Sequence, residues 1–313
     1  MSVVVVRPGL LSTLQAGPRT GQRHLGIPGG GAADPLSLAL ANKLVGNAWD
    51  APAIEATLTG PVLGFDTDTS VAVTGAVAEV ALNGREAGLH RSFIARAGDE
   101  LVIGAVETGV RVYVAVAGGF AAEAVLGSKS TDLQAGFGGC EGRALRSGDR
   151  LEAGSVTAAD IETPAEFRPR FSSAGALRAC AAAESEWLDD DSFAALFDTN
   201  WVVDRRADRM GLRLDGRRLS ITSDGRMPSA GVLPGTIQCP EDGAPYLLSV
   251  DAGTVGGYPR VAQVARLDRH MLGQLRPGDH VRLLRRMPDD AVAELREKIG
   301  CWLPWLPDIV EIL

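Results

Sequence analysis

Cysteine is sparse and scattered: Cys140, Cys180, Cys239 and Cys301 are the only four in 313 residues, and no two form a C-x-x-C pair. That spacing argues against a disulfide framework and against a zinc knuckle, so reduced thiols in a cytoplasmic protein without a metal site are expected. Long apolar runs are missing too. No stretch approaches the roughly 20 residues needed to cross a bilayer. The opening Met1-Ser2-Val3-Val4-Val5-Val6-Arg7-Pro8 is far shorter than a signal h-region and lacks a basic start and a small-residue cleavage site. It reads as a strand of a soluble protein with no membrane partner. Positive charge is in deficit, 31 Lys and Arg against 39 Asp and Glu. With no net positive field to steer a phosphate backbone, nucleic acid is not expected as a partner.

What the chain does hold is glycine, 38 residues, and proline, 17, spread evenly rather than in tracts. This composition predicts many short strands joined by tight turns, a mainly β fold of barrel or sandwich type. The length suits two domains of ordinary size or one large all-β domain. A segment rich in Pro, Glu, Ala and Arg, residues 158–170, is the natural linker, giving modules 1–165 and 166–313.

Local patterns sharpen this. Val71 to Leu82 and Glu86 to Ile94 flank Asn83-Gly84, the signal of a type I′ hairpin. Val110, Val112, Val114 and Val116 alternate with other residues, as expected of a strand bordering the core. Asp34 as cap, Pro35 at the first position, Leu36, Leu40 and Leu44 as a stripe and Gly46-Asn47 as stop predict a helix. A second helix is expected from Pro288 to Ile299, burying Val292, Leu295 and Ile299, with short helices at Asp191 to Phe197 and Asp268 to Leu275. The hexapeptides starting at Arg96, Arg146 and Arg276 share an Arg-x-Gly-Asp turn feeding an apolar strand, which hints at two related β modules.

Three clusters can carry chemistry. In the first, Gln15 to His24 leads into the glycine-dense Gly26 to Asp34, which opens on a helix N-terminus where free N–H groups can receive an anion. Arg19 and His24 stand just upstream, and His24 is a candidate general base. A turn whose glycines only satisfy the backbone, a solvated histidine and an Asp34 that merely caps the helix are the structural alternatives. The second cluster holds Arg205, Arg206, Arg209, Arg213, Arg217, Arg218 and Arg226, whose guanidinium forks suit carboxylates and phosphates. Arg209, bracketed by Asp208 and Gly211, ranks first. The third lies in the run from Gln238 to Asp279: Gln238, then Asp251 at a strand end, then a glycine-rich loop with Thr254 and Tyr258. Asp251 is a candidate base or acceptor, Thr254 and Tyr258 candidate donors over a pocket mouth.

Several motifs are absent. Gly127-Ser128-Lys129-Ser130 looks like a phosphate loop but does not meet the G-x-x-x-x-G-K-[ST] order. There is no G-x-S-x-G elbow, no H-E-x-x-H and no Ala-Met-Lys-Met biotinylation sequence. If ATP or biotin is used, another polypeptide carries part of it.

Gly26-Ile27-Pro28 through Asp34, Ala41 to Asn47, Glu55 with Gly60-Pro61, Ala117 to Phe120, Leu126 to Thr131, Gly148-Asp149, Pro234 to Gln238 and Gly256 to Pro259 resemble the 5-oxoprolinase C-subunit family, almost end to end. The family is also called allophanate hydrolase subunit 2 or the biotin-dependent carboxyltransferase family. The resemblance implies two cyclophilin-like β-barrel modules, with an A subunit plus a cyclophilin-like B subunit as partners. It also implies ATP-dependent opening of 5-oxo-L-proline to L-glutamate, with ATP and Mg at the level of the complex. Relatives instead pass a carboxyl group from biotin on a partner protein to a urea-like nitrogen, and others are linked to control of a sensor kinase. In either enzyme the substrate is a small amide. The usual Gln-Asp-x-Gly-Arg is Gln15-Ala16-Gly17-Pro18-Arg19 here, and the usual Ser-Gly-Ala-x-Asp is Gly30-Gly31-Ala32-Ala33-Asp34. Those departures bear on the substrate, not on the fold.

Overall fold

A computed structural model describes residues 2–154, 160–222 and 227–313. They fall into two compact units: Met1–Thr20, Gly30–Phe171 and Trp302–Ile312 form the first, and Gly21–Gly29, Ser172–Cys301 and Leu313 the second. The main division thus lies after Phe171, and two short segments are exchanged between units in a way that composition does not signal.

The first unit contains β1 (Ser2–Arg7), β2 (Leu11–Gln15), β3 (Ala53–Thr57), β4 (Val62–Phe65), β5 (Thr69–Leu82), β6 (Arg85–Glu86), β7 (Ser92–Ala95), β8 (Glu100–Val116) and β9 (Arg150–Glu152), with helix α1 (Pro35–Leu44). Its nine-stranded sheet runs β2-β3-β8-β4-β1-β9, and β5 pairs with β6, β7 and β8. The long strand β8 is buried on both faces at its end. Val112, Val114 and Val116 enter the main core with Val71, Val73 and Leu63. Tyr113 and Ala115 turn the other way and meet Leu38, Ala41 and Leu44 of α1. The period-two alternation therefore separates two apolar layers rather than core from water.

Helix α1 starts and stops where its local signals place it. Asp34 Oδ1 accepts the Ser37 N–H at 3.0 Å, and Gly46 takes the left-handed conformation past the end. The Asn83-Gly84 turn also forms, with positive φ at both residues (51° and 74°). Its second strand is not continuous to Ile94 as expected. Gly88 and His90 adopt positive φ, which breaks the run into β6 and β7. The three Arg-x-Gly-Asp turns share one geometry: the aspartate accepts the arginine N–H (2.7, 2.7 and 2.8 Å), and φ at the glycine is 89°, 91° and 92°. They are structural turns.

The second unit contains β10 (Ala174–Ala181), β11 (Asn200–Val203), β12 (Gly211–Asp215), β13 (Ala230–Gly231), β14 (Thr236–Gln238), β15 (Tyr246–Leu248), β16 (Val255–Gly256), β17 (Arg260–Val264) and β18 (His280–Arg285). Seven of these close into a barrel, β10-β17-β14-β15-β12-β11-β18, while β13 and β16 make a separate two-stranded ribbon. Trp201 fills the barrel with no exposed surface, its indole N–H donating to the Leu196 carbonyl at 3.0 Å. Helix α2 (Asp190–Asp198) is capped by Asp189. Residues Arg266–Gln274 form a 3-10 helix. Helix α3 (Pro288–Trp302) runs past Ile299, and its packed face differs from the expected stripe: Ala291 is buried and Leu295 packs beside it, whereas Val292 is 44% exposed. The apolar spacing alone admitted either face. Among the described residues no helix is long and apolar enough to cross a membrane.

His90, buried in the first unit, has its pKa lowered to about 4, by burial first and then by the charge of Arg168. Because the folded value lies below the unfolded one, the unfolded chain takes up the proton first as pH falls. The stability His90 allows is complete above about pH 6.5 and is lost toward pH 4, by up to about 3 kcal/mol. Urea denaturation across that window should show this fall, and His90→Asn, which tolerates positive φ, should reduce it. An equal fall in the variant would contradict the assignment.

Candidate functional site

The barrel ladder brings together residues far apart in sequence. Gly211 pairs with Leu248 in the β12–β15 register, and continuing past the strand ends sets Arg209 beside Asp251. The Asp251 N–H donates to the Arg209 carbonyl at 2.9 Å. Their side chains form a two-pronged fork: Arg209 Nε to Asp251 Oδ2 at 2.6 Å, and a terminal nitrogen to Oδ1 at 3.0 Å. Both are largely shielded, at 8% and 15% side-chain exposure. Asp208 shapes the turn, accepting the Met210 and Gly211 N–H groups at 2.8 and 3.1 Å. With both carboxylate oxygens engaged by the guanidinium fork, Asp251 fixes the geometry of the loop that follows it.

The other arginines of that cluster differ. Arg206 pairs with Asp204, Arg213 with Asp242 and Arg217 with Asp191, each with at least one well-exposed partner. Arg205 and Arg218 are exposed, and Arg226 lies outside the described residues. Such pairs contribute little.

Gln238, Thr254 and Tyr258 gather at the β13–β16 ribbon. Gln238 Nε2 donates to the Tyr258 carbonyl at 3.1 Å. It lies so close over Gly256 that a Cβ there would come within 2.4 Å of Nε2, so a side chain at this position would push the Gln238 amide aside. Thr254, buried, accepts the Val232 N–H on its carbonyl at 3.1 Å. Tyr258 is half exposed. Arg23 donates to the Val232 carbonyl, which ties the segment bearing His24 to the same ribbon within the second unit. His24 itself is exposed in a short 3-10 turn, Arg23–Leu25.

A fork that sequence reasoning missed braces the ribbon: Arg260 donates to both Glu184 oxygens at 2.7 and 2.6 Å and to the Gly231 carbonyl at 3.2 Å. The Arg260 hydrogen bonds hold Glu184 below the usual carboxylate range. Buried Cys239, next to Gln238 in sequence, has its thiol pushed up to about 11 by burial. It stays protonated at neutral pH and is a poor nucleophile.

In the first unit the end of the glycine-dense loop, Ala32 to Asp34, does not hold its N–H groups open to an anion. The Ala33 N–H donates to Glu55 Oε2 at 2.9 Å, the Asp34 N–H to the Tyr113 hydroxyl at 2.8 Å, and the Ala32 N–H to the Ala16 carbonyl at 3.1 Å. Asp34 accepts from both the N–H and hydroxyl of Ser37 (3.0 and 2.5 Å). These donors are used inside the protein. The Tyr113 hydroxyl donates to Glu55 Oε2 at 2.8 Å, and Arg111 stands 3.3 Å from Oε1. Burial, then the Glu55 and Asp34 charges, raise the Tyr113 pKa well above normal, so the phenol remains neutral and both donates and accepts. Arg19, only 1% exposed, donates to the Ser130 carbonyl and lies 4.7 Å from the Phe137 ring centre. The Ser128 hydroxyl bonds the Gly17 carbonyl at 2.6 Å, and the Ser130 hydroxyl accepts the Ala16 N–H at 2.9 Å. The phosphate-loop lookalike thus stitches two loops together. A cavity of about 610 Å³ opens beside it, lined by residues that include Gly17, Trp49, Asp50, Phe120, Lys129 and Glu311.

Residues 25–285 match the family model described as carboxyltransferase domain, subdomain A and B. The chain is 37% identical to the 5-oxoprolinase C subunit of Escherichia coli (strain K12) over 288 residues, 92% of each chain. It is 31% identical to urea amidolyase of Saccharomyces cerevisiae over 90% of its own length but 16% of that protein. The crystal structure of the Kluyveromyces lactis urea carboxylase superposes with a TM-score of 0.88 at 28% identity, covering 95% of this chain and 29% of that one. By these matches, with a mainly β fold whose second unit is a closed barrel, the chain belongs to the 5-oxoprolinase C-subunit family of carboxyltransferase A and B domains.

Proposed function

We propose that the chain is the C subunit of a complex that opens 5-oxo-L-proline to L-glutamate at the expense of ATP, with A-like and B-like partners in the cytoplasm. The observation that carries this reading is the 37% identity to a 5-oxoprolinase C subunit, which extends across 92% of both chains. ATP with Mg, when bound, supplies phosphoryl activation of the ring amide. The residues present do not suit this chain as its holder, because the donors at the start of α1 and the hydroxyls of Ser128 and Ser130 are taken up internally. We therefore assign ATP to a partner.

In this chain the Arg209–Asp251 fork fixes the loop that carries Thr254. The Thr254 hydroxyl and the Tyr258 phenol orient the amide, and Gln238 sets the loop carrying Tyr258. His24, free to reach solvent, is the candidate proton carrier for the leaving ring nitrogen. Arg19 and Asp34 act through loop position rather than by touching substrate. The assembled complex, given 5-oxo-L-proline and ATP, is expected to release glutamate with ADP. Tyr258→Phe should lower turnover severalfold without disturbing the fold, and unchanged turnover would remove Tyr258 from the site.

A second reading, carboxyl transfer from biotin on a partner to a urea-like nitrogen, draws on the superposition with urea carboxylase at TM-score 0.88. Carboxylation of urea dependent on a biotinylated partner would favour it.

A further inference from the structure

The cavity in the first unit holds an imbalance that none of the roles above uses. Lys129 and Asp50 both line it and both are exposed residues. Among the described residues neither takes part in an ion pair, with the other or with a third residue. Glu311, also in the lining, accepts the Trp49 indole N–H at 3.1 Å. The indole and the buried ring of Phe120 supply apolar wall. The walls are fixed by cross-links: Ser128 Oγ and Ser130 Oγ on the Gly17 carbonyl, and the Gly17 N–H on the Asp50 carbonyl at 3.2 Å. Gly17 approaches Asp50 so closely that a Cβ would meet the Asp50 Cβ at 2.9 Å.

A pre-formed cavity of about 610 Å³ is of small-ligand size. A single anion would suit Lys129 but face Asp50 and Glu311, and a single cation would meet the converse. A ligand with both charges answers both sides. We propose that this cavity binds a zwitterionic α-amino acid, its carboxylate toward Lys129 and its ammonium toward Asp50 and Glu311. If the proposed reaction holds, on which this link alone rests, the cavity distinguishes the ring-opened product, which has gained an ammonium, from the lactam, which has none.

The test is calorimetric titration of the purified full chain with L-glutamate, glutarate and 5-oxo-L-proline. Saturable glutamate binding is expected, at least about tenfold tighter than for either compound lacking the ammonium, the size of one lost charge contact. Lys129→Ala and Asp50→Asn should each weaken glutamate about tenfold with unchanged melting temperature. Absent glutamate binding, equal binding of 5-oxo-L-proline, or full affinity in both variants would overturn the proposal. Turnover of the complex is a separate readout: glutamate production without glutamate binding to this chain would remove the cavity site and leave the proposed reaction standing.

Discussion

Arg209→Ala is expected to destabilise the C-terminal barrel by about 3 to 5 kcal/mol and to abolish turnover in the complex. The guanidinium holds both oxygens of Asp251 in a site where the two side chains are 8% and 15% exposed. Removing it leaves a shielded carboxylate without its fork, and breaking such a pair from one side costs far more than the pair contributes net. The reciprocal Asp251→Asn keeps the shape and loses the charge, so it should fall in between. Replacing both residues with apolar side chains of similar volume should restore much of the stability but none of the activity, because the loop leading to Thr254 would lose its anchor. Chemical denaturation of the three variants separates these outcomes. Stability near wild type in Arg209→Ala would mean that the fork is incidental.

Glu55→Ala should be as damaging to the first unit, again by about 3 to 5 kcal/mol. Glu55 is 2% exposed, accepts from the Ala33 N–H and the Tyr113 hydroxyl, and stands 3.3 Å from Arg111. Its loss removes a counter-charge from Arg111 and strands two buried donors together. Tyr113→Phe removes only the phenol that bridges Glu55 and the Asp34 N–H, which should cost about 1 to 3 kcal/mol. Thermal melts of both variants would show the order, and an equal loss in the two would contradict a network centred on the carboxylate.

These two sites mark where sequence reading succeeds and where it stops. Helix α1 was legible because cap, proline, stripe and stop all lie within 14 residues and agree with one another. The Asn83-Gly84 turn and the three Arg-x-Gly-Asp turns were legible for the same reason, since φ at the glycines is a local demand. Arg209 and Asp251 were each visible as candidates, but their pairing spans 42 positions and is set by the β12–β15 register, which no local pattern encodes. The start of α1 shows the reverse. Its glycines and dipole suggested an anion site, yet Glu55 and Tyr113, from β3 and β8, consume its donors. Glu86 to Ile94 read as one strand because positive φ at His90 is not a property of its side chain but of the turn that buries it.

The substrate question turns on chemistry that the two readings do not share. One head-to-head assay decides it: the chain assembled with its A-like and B-like partners, and the same chain with a biotin carboxylase and a biotinylated carrier. Each is given ATP and bicarbonate with either 5-oxo-L-proline or urea. Glutamate release, stoichiometric with ADP, is expected only from the first assembly with 5-oxo-L-proline. Biotin-dependent carboxylation of urea by the second, with no glutamate from the first, would contradict that expectation.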